Sequence, residues 1–232
     1  MNTASWGPDG WKLLHSIAYC YTFNDDDNHY NHYDSIPPSI YKRFYGAIQH
    51  LLPCVYCRRS YAQYMKELPI KEYLEPKNLF YHIYLIHNKV NEKLRGQGYN
   101  DKPDPSYASV KKFYREYVKK LKCLAGWHFL YCMIFNYPED GDKCSQRCKK
   151  AYIDFFECLT VLLPCERIRE KYCKYVHKKP MDEWMSSREL LKRWLYGLER
   201  AIRGERCKPF KVRCDDVEKC RVSKCDGGTC RK

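Results

Sequence analysis

Cys54 and Cys57 stand two residues apart, directly after Leu51-Leu52-Pro53. Two thiols at this spacing can close into a small disulfide that reopens by thiolate exchange. That chemistry needs a lowered thiol pKa and a destination for two electrons. Pro53 and Arg58-Arg59 supply a helix start and positive charge for the first need. The second points to His87-Asn88-Lys89-Val90-Asn91, where His87 and Asn91 lie four apart, on one face of a helix. Asn88 and Asn91 are poor helix formers, so their presence in a helical stretch argues for a polar duty.

A third pattern precedes these two: Gly7-Pro8-x-x-Trp11-x-x-Leu14-His15-x-x-Ala18-x-x-Tyr21. Taken with Pro53-Cys54-x-x-Cys57 and His87-Asn88-x-Val90-Asn91-x-Lys93-Leu94, in that order and spacing, residues 5 to 118 resemble the Erv/ALR family of flavin-linked sulfhydryl oxidases. Lys102-Pro103-Asp104 looks like the family's lysine-proline-acid segment, displaced by an insertion around Arg95 to Asn100. The resemblance implies an FAD-dependent enzyme that forms disulfides in protein thiols and passes the electrons to O2, giving H2O2. Its cofactor residues would be Gly7, Pro8, Trp11, His15, Tyr21, Cys57, His87, Asn88, Val90, Asn91, Lys93, Lys102 and Tyr114. A flat flavin needs aromatic walls and a few fixed hydrogen-bond partners rather than a Rossmann glycine loop, and no GxGxxG occurs here. Lys93 and Lys102 would meet the diphosphate, and Tyr114 stands where the family has a tryptophan near the adenine. Cys54 would face the substrate and Cys57 the flavin, with no metal required. The implied partners are protein thiols or a thioredoxin-like donor, O2, and a second copy of the chain as a homodimer. One departure is the absence of the family's structural cysteine after the lysine-proline-acid segment, where Tyr107 stands. Packing, or contacts from the second half, must then hold the bundle.

Other readings of the same residues exist. His15 alone fits a satisfied core histidine, Trp11 a core aromatic, and Lys93 and Lys102 a solvated surface. Cys20 reads as a buried thiol.

The elements that must carry these residues are helices. Apolar positions at Trp11, Leu14, Ile17, Ala18 and Tyr21 place a helix from about Pro8. Asp25 to Asn31 is a polar link, Pro37-Pro38-Ser39 opens a second helix reaching toward Pro53, and a third runs from Cys54 to Pro69. Leu79, Ile83, Ile86, Val90 and Leu94 mark a fourth that Gly96-Gln97-Gly98 stops, and Tyr107 to Leu121 forms a fifth. No alternating strand pattern appears. The expected fold is all-α: a four-helix bundle plus short fifth helix over residues 1–122, then a second helical domain over 123–204 and a Cys-rich basic tail over 205–232.

Within the second domain, helices are expected over Trp127 to Tyr137, Ser145 to Leu163, Cys165 to Val176 and Met181 to Arg203. Leu51-Leu52-Pro53-Cys54 recurs there as Leu162-Leu163-Pro164-Cys165, and Trp127 through Tyr137 can be laid over Trp11 through Tyr21. Ile168 replaces the inner cysteine, Tyr131 replaces His15, and Leu195-Tyr196 replaces His87-Asn88. The segment reads either as a degenerate repeat of the first domain or as an unrelated helical domain with a chance match. It is expected to bind no FAD in either case.

Fifteen cysteines among 232 residues is a dense count for a chain whose first residues, Met1 to Asp9, lack the pattern of a secretory leader. No apolar run approaches the ~20 residues that span a bilayer. A cytoplasmic location is expected, in the host cytoplasm or virion if the chain is viral, as the compact form of the resemblance suggests. The net charge of +14 admits an anionic partner, but the basic residues are interspersed with acidic ones, which fits a solvated surface. Cys207, Cys214, Cys220, Cys225 and Cys230 form a mobile or cross-linked tail by composition, open to a shuttle role, a zinc knot or structural disulfides. Cys144 and Cys148 could be a redox pair or half a metal site. A cysteine-rich zinc or nucleic-acid binding module is the competing function. A thioredoxin-like reductase would require a strand before Cys54, where Ile48 to Leu52 instead continues a helix.

Overall fold

A computed structural model describes residues 3–23, 32–75, 78–99 and 101–219. The polar link at Asp25 to Asn31 and the distal cysteines Cys220, Cys225 and Cys230 lie outside the described residues. Among those described there is no strand, only one isolated bridge between Asp140 and Ser187.

The first copy consists of α1 (Thr3–Thr22), α2 (Pro38–Leu51), α3 (Val55–Glu67), the single turn α4 (Lys71–Leu74), α5 (Leu79–Gly96) and α6 (Tyr107–Lys119), which at 13 residues is as long as α3 rather than a short fifth helix. The sequence predicts that α1 starts near Pro8, yet it runs back to Thr3 with Pro8 inside it. Trp6 explains the extension, because it is buried and its ring stacks on Phe129 at 5.6 Å. Pro38 opens α2 where its missing N–H costs nothing. Pro53 closes it by forcing Leu52 into extended backbone (φ −52°, ψ 133°).

The second copy repeats the plan with α7 (Trp127–Phe135), α8 (Gln146–Leu162), α9 (Glu166–Lys178), α10 (Arg188–Arg203) and α11 (Phe210–Lys219). Two expectations are corrected here. The helix expected over Met181 to Arg203 is divided into a 3₁₀ turn, Met181–Trp184, and α10. Ser187 starts α10 as its N-cap, its hydroxyl accepting the Leu190 N–H at 3.2 Å while its backbone bridges to Asp140. The tail is also not wholly a loose segment, since α11 packs on α7 and buries Cys214 and Val217.

Like helices meet like helices between the copies: α1 lies against α7 and α2 along α8. With Trp11 laid over Trp127, positions 10 and 126 correspond, as do 13 and 129. A Cβ at Gly10 would stand 3.2 Å from Phe129, and one at Gly126 would stand 3.3 Å from Leu13. Such reciprocal contact, i to j and j to i, is the signature of a two-fold interface. With Leu51–Cys54 laid over Leu162–Cys165, Phe44 corresponds to Phe155. These two rings stack on each other at 4.7 Å. Buried side chains of both copies form one continuous core, which supplies the bundle contacts that no cysteine near Tyr107 could.

Candidate active site

Cys54 is the N-cap of α3, and its sulfur accepts the Cys57 backbone N–H at 3.2 Å. The Pro53 break makes this possible, because extended backbone at Cys54 turns its side chain onto the open first turn of the helix. The Cys57 thiol donates to the same sulfur, and the Tyr56 and Cys57 amides add to it, so the Cys54 pKa falls to about 6 despite burial. Hydrogen bonding to Cys54 and burial push Cys57 far upward, with Lys93 opposing. The pair thus holds one proton on Cys57 and a thiolate on Cys54. Cys54 is 2% exposed and Cys57 half-buried.

Both cysteines open onto a cavity of about 510 Å3 between α1, α3, α5 and α6. Its walls are largely apolar and aromatic: Trp6 and Trp11 from α1, Ile48 and Leu52 from the end of α2, Tyr56 and Tyr61 from α3, Val90 and Leu94 from α5, Phe113 and Tyr114 from α6. Phe129 enters from α7, so the second copy completes the wall.

Trp11 stacks on His87 with ring centroids 3.9 Å apart and planes 12° from parallel. Behind them, His15 Nε2 meets His87 Nδ1 at 3.2 Å, and the His15 ring stacks on Tyr114 at 4.7 Å. Burial lowers both imidazoles, helped at His15 by the charge of His87; His87 falls to about 4 although Asp104 pulls it upward. Both rings are therefore neutral at pH 7. Asn91 donates to Asp104 at 2.8 Å, and Arg95 clamps the same carboxylate through two bonds of 3.0 and 2.9 Å. Lys93 Nζ donates to Ser60 Oγ at 2.8 Å, on the Cys57 side of the cavity.

Of the residues predicted from sequence, Gly7, Pro8, Trp11, Cys57, His87, Val90, Asn91, Lys93 and Tyr114 line this cavity together with Cys54. His15 lies one layer behind, fully buried between His87 and Tyr114. Tyr21 sits in the core, its hydroxyl donating to the Leu74 carbonyl at 2.6 Å. Asn88 is half-buried on α5 outside the lining, and Lys102 is exposed, its carbonyl accepting from Arg95. Sequence reasoning missed Trp6, Ser60, Gln97, Phe113 and Phe129. Phe113 was within reach, being the neighbour of Tyr114 on a predicted helix; Phe129 was not, because its contact is made across the two copies.

The cavity fits a flavin dinucleotide. It is roomy, aromatic on several sides, bordered by a lysine, and open to the dithiol. The buried Trp6 Nε1–H on its wall has no partner among the described residues, a donor that a bound polar group would satisfy. The second copy differs at the corresponding place. Glu199, at the Asn91 position when His87-Asn88 is laid over Leu195-Tyr196, is 1% exposed and pairs with Arg203 at 2.8 Å and Arg213 at 3.3 Å. The Arg213 guanidinium lies 4.8 Å from the ring of Tyr131, which replaces His15. Charged side chains from α10 and α11 thus gather where the first copy leaves space. Among the described residues, no group of three or more His, Cys, Asp or Glu is placed to hold a metal ion.

The Erv1/Alr family model matches the sequence twice, over residues 8–115 and 124–221. The second match identifies the later helices as a repeat of the first rather than an unrelated domain. A probable FAD-linked sulfhydryl oxidase of Acanthamoeba polyphaga mimivirus is 31% identical over 78 residues, covering 33% of this chain and 52% of the relative. The mitochondrial FAD-linked sulfhydryl oxidase of Saccharomyces cerevisiae is 32% identical over 90 residues, covering 38% and 42%. The chain thus spans about half, or less, of the length of these curated relatives. No solved structure matches it significantly.

Proposed function

The chain belongs to the Erv1/Alr family, and from that premise we propose that it is an FAD-linked sulfhydryl oxidase, taking electrons from protein dithiols through Cys54 and Cys57 and delivering them to O2 as H2O2. The observation that carries this reading is the opening of Cys54 and Cys57 onto the same aromatic cavity as the Trp11–His87 stack.

When bound, FAD supplies a two-electron acceptor that O2 reoxidises. The chain's residues do the rest. A substrate thiolate that reaches Cys54, only 2% exposed, attacks the Cys54–Cys57 disulfide there and expels Cys57; a second substrate thiolate then attacks the substrate sulfur of the mixed disulfide, expels Cys54 and releases the product disulfide, leaving both cysteines reduced. Helix-start amides hold charge on Cys54, so it is the better leaving group. Cys57 keeps the proton and lines the cavity with Lys93 beside it, which lowers the cost of ionising Cys57 once Cys54 is engaged elsewhere. Trp11 and the neutral His87 give a flat wall, Asn91 is held by Asp104, and the aromatic lining excludes water.

The thiol donor in this reading is a protein dithiol or a thioredoxin-like carrier. Because α7 and α8 cover the α1–α2 face within the chain, pairing of two chains would use another surface. No described helix is long and apolar enough to cross a membrane.

Purified protein is expected to be yellow and to consume O2 with H2O2 release on addition of dithiothreitol. Cys57→Ser should retain the flavin spectrum and lose turnover. Folded wild-type protein that is colourless and inert would refute the proposal.

A further inference from the structure

A groove of about 380 Å3 follows the seam where α2 packs on α8. The helices run antiparallel: Arg43 faces Asp154 (3.7 Å) and Glu157 (3.5 Å) near the Phe44–Phe155 stack, while His50 and Arg147 line the groove further along. Lys42 and Lys150 complete its basic walls, and Asp154 is the one acid among the described residues that line it. Arg43 and Lys150 both pair with that acid. Lys42, His50 and Arg147 make no hydrogen bond or ion pair among the described residues. Burial, then the charges of Arg147 and Arg58, hold His50 below its ordinary pKa. Three bases thus share one groove with no acid to neutralise them. The groove has room for a ligand beside them, since a Cβ at Gly46 would meet nothing within 4 Å.

The silent half of the seam differs. The register that sets Phe44 over Phe155 places Ile153 at the position of Lys42, Val161 at that of His50 and Ile36 at that of Arg147. Each unpaired base therefore has an apolar counterpart, and all three counterparts pack on the core. That end is also covered, because His32 Nε2 donates to the Val161 carbonyl at 2.7 Å and the Tyr33 hydroxyl donates to the Leu163 and Pro164 carbonyls at 3.2 and 3.1 Å. In this seam the unpaired charge runs toward Cys54 and not toward Cys165. His50 lies in the last turn of α2, directly before Leu51–Cys54, and Val55 between the two cysteines is 41% exposed. From Lys42 to His50 the helix rises roughly 12 Å, the length of about four extended residues.

We propose that this groove docks acidic protein substrates, whose carboxylates pair with Lys42 and Arg147 while a nearby thiol is presented to Cys54. The proposal rests on the oxidase reading above and names the substrate class for that site. Charge of one sign along a groove raises the local concentration of an oppositely charged chain and sets its register. A small uncharged dithiol gains nothing from it.

The test compares dithiothreitol with two reduced dithiol peptides of one core sequence, flanked by Asp in one and by Lys in the other, as substrates of the full-length flavin-loaded protein. Oxygen uptake should give the acidic peptide a kcat/KM about tenfold above the basic one, carried by KM and shrinking as salt rises. Lys42→Glu combined with Arg147→Glu should abolish or reverse that ratio and leave dithiothreitol oxidation unchanged. If the double reversal impairs dithiothreitol oxidation, Lys42→Gln with Arg147→Gln takes its place and should abolish the ratio. Dithiothreitol oxidation with equal kcat/KM for both peptides overturns the docking proposal alone, as does a preference that survives the substitutions. Loss of oligonucleotide binding in the variant with an unchanged peptide ratio would mark the groove as a nucleic-acid surface and overturn the proposal. Wild-type protein that oxidises neither peptide nor dithiothreitol refutes the oxidase reading itself, and this proposal with it.

Discussion

Phe44 and Phe155 hold the same position in the two copies and stack on each other across their seam, 4.7 Å apart and 20° from parallel. Each is fully buried, so the two bundles share one interior. Phe155→Ala is expected to cost about 3–5 kcal/mol by leaving a cavity at that seam. Far-UV circular dichroism and flavin fluorescence should change together in a single thermal transition, in wild type and variant alike. Separate transitions for the flavin site and for total helix would show that the copies fold independently.

Cys54 provides a pH prediction. Its folded pKa of about 6 lies below its ordinary value near 9, so the reduced protein gains stability as pH rises from 6 toward 9 and loses it as pH falls through 6. Iodoacetamide should modify Cys54 with a midpoint near pH 6, read by mass spectrometry. Cys57→Ala removes the main hydrogen bond and should move that midpoint upward. An unchanged midpoint would show that the helix start alone holds the thiolate.

The histidine pair acts over a different range. Burial depresses His87 to about 4 and His15 well below 6.5, so their contribution is complete above pH 6.5 and lost as pH falls toward 4. Melting temperatures should drop across that interval in the wild type and less steeply in His87→Phe. Parallel curves would count against a buried neutral pair.

Lys93 stands beside Cys57 and opposes the rise of its pKa. Lys93→Met should slow dithiothreitol oxidation by about tenfold, the effect of roughly one pKa unit on the available thiolate. The deficit should shrink at high pH. A uniform loss at every pH would mean that Lys93 serves only to bind.

Much of this site can be read along the chain because its signals are local. Pro53 before Cys54 announces a helix start that holds a thiolate, and the spacing of His87, Val90, Asn91 and Leu94 draws one face of α5. The apolar stripes likewise mark most helices. What escapes such reading depends on contacts between distant segments. Trp6 belongs to α1 because Phe129 lies under it, not because of its neighbours in sequence. Met181 to Arg203 looks continuous until Asp140 bridges to Ser187. The α11 helix has weak periodicity among cysteines and charges, and its place follows from Val217 burying itself in the second copy and Arg213 reaching Glu199.

The entry of Phe129 into the first copy's cavity has an evolutionary corollary. In an assembly of two identical chains, every substitution strikes both pockets at once, so a wall residue donated by the neighbour is bound to the needs of its own site. Here position 129 answers to one pocket alone, while Leu13, its counterpart, is free of that demand. The second copy can drift on surfaces away from the shared core, but this one ring stays tied to the first copy's pocket.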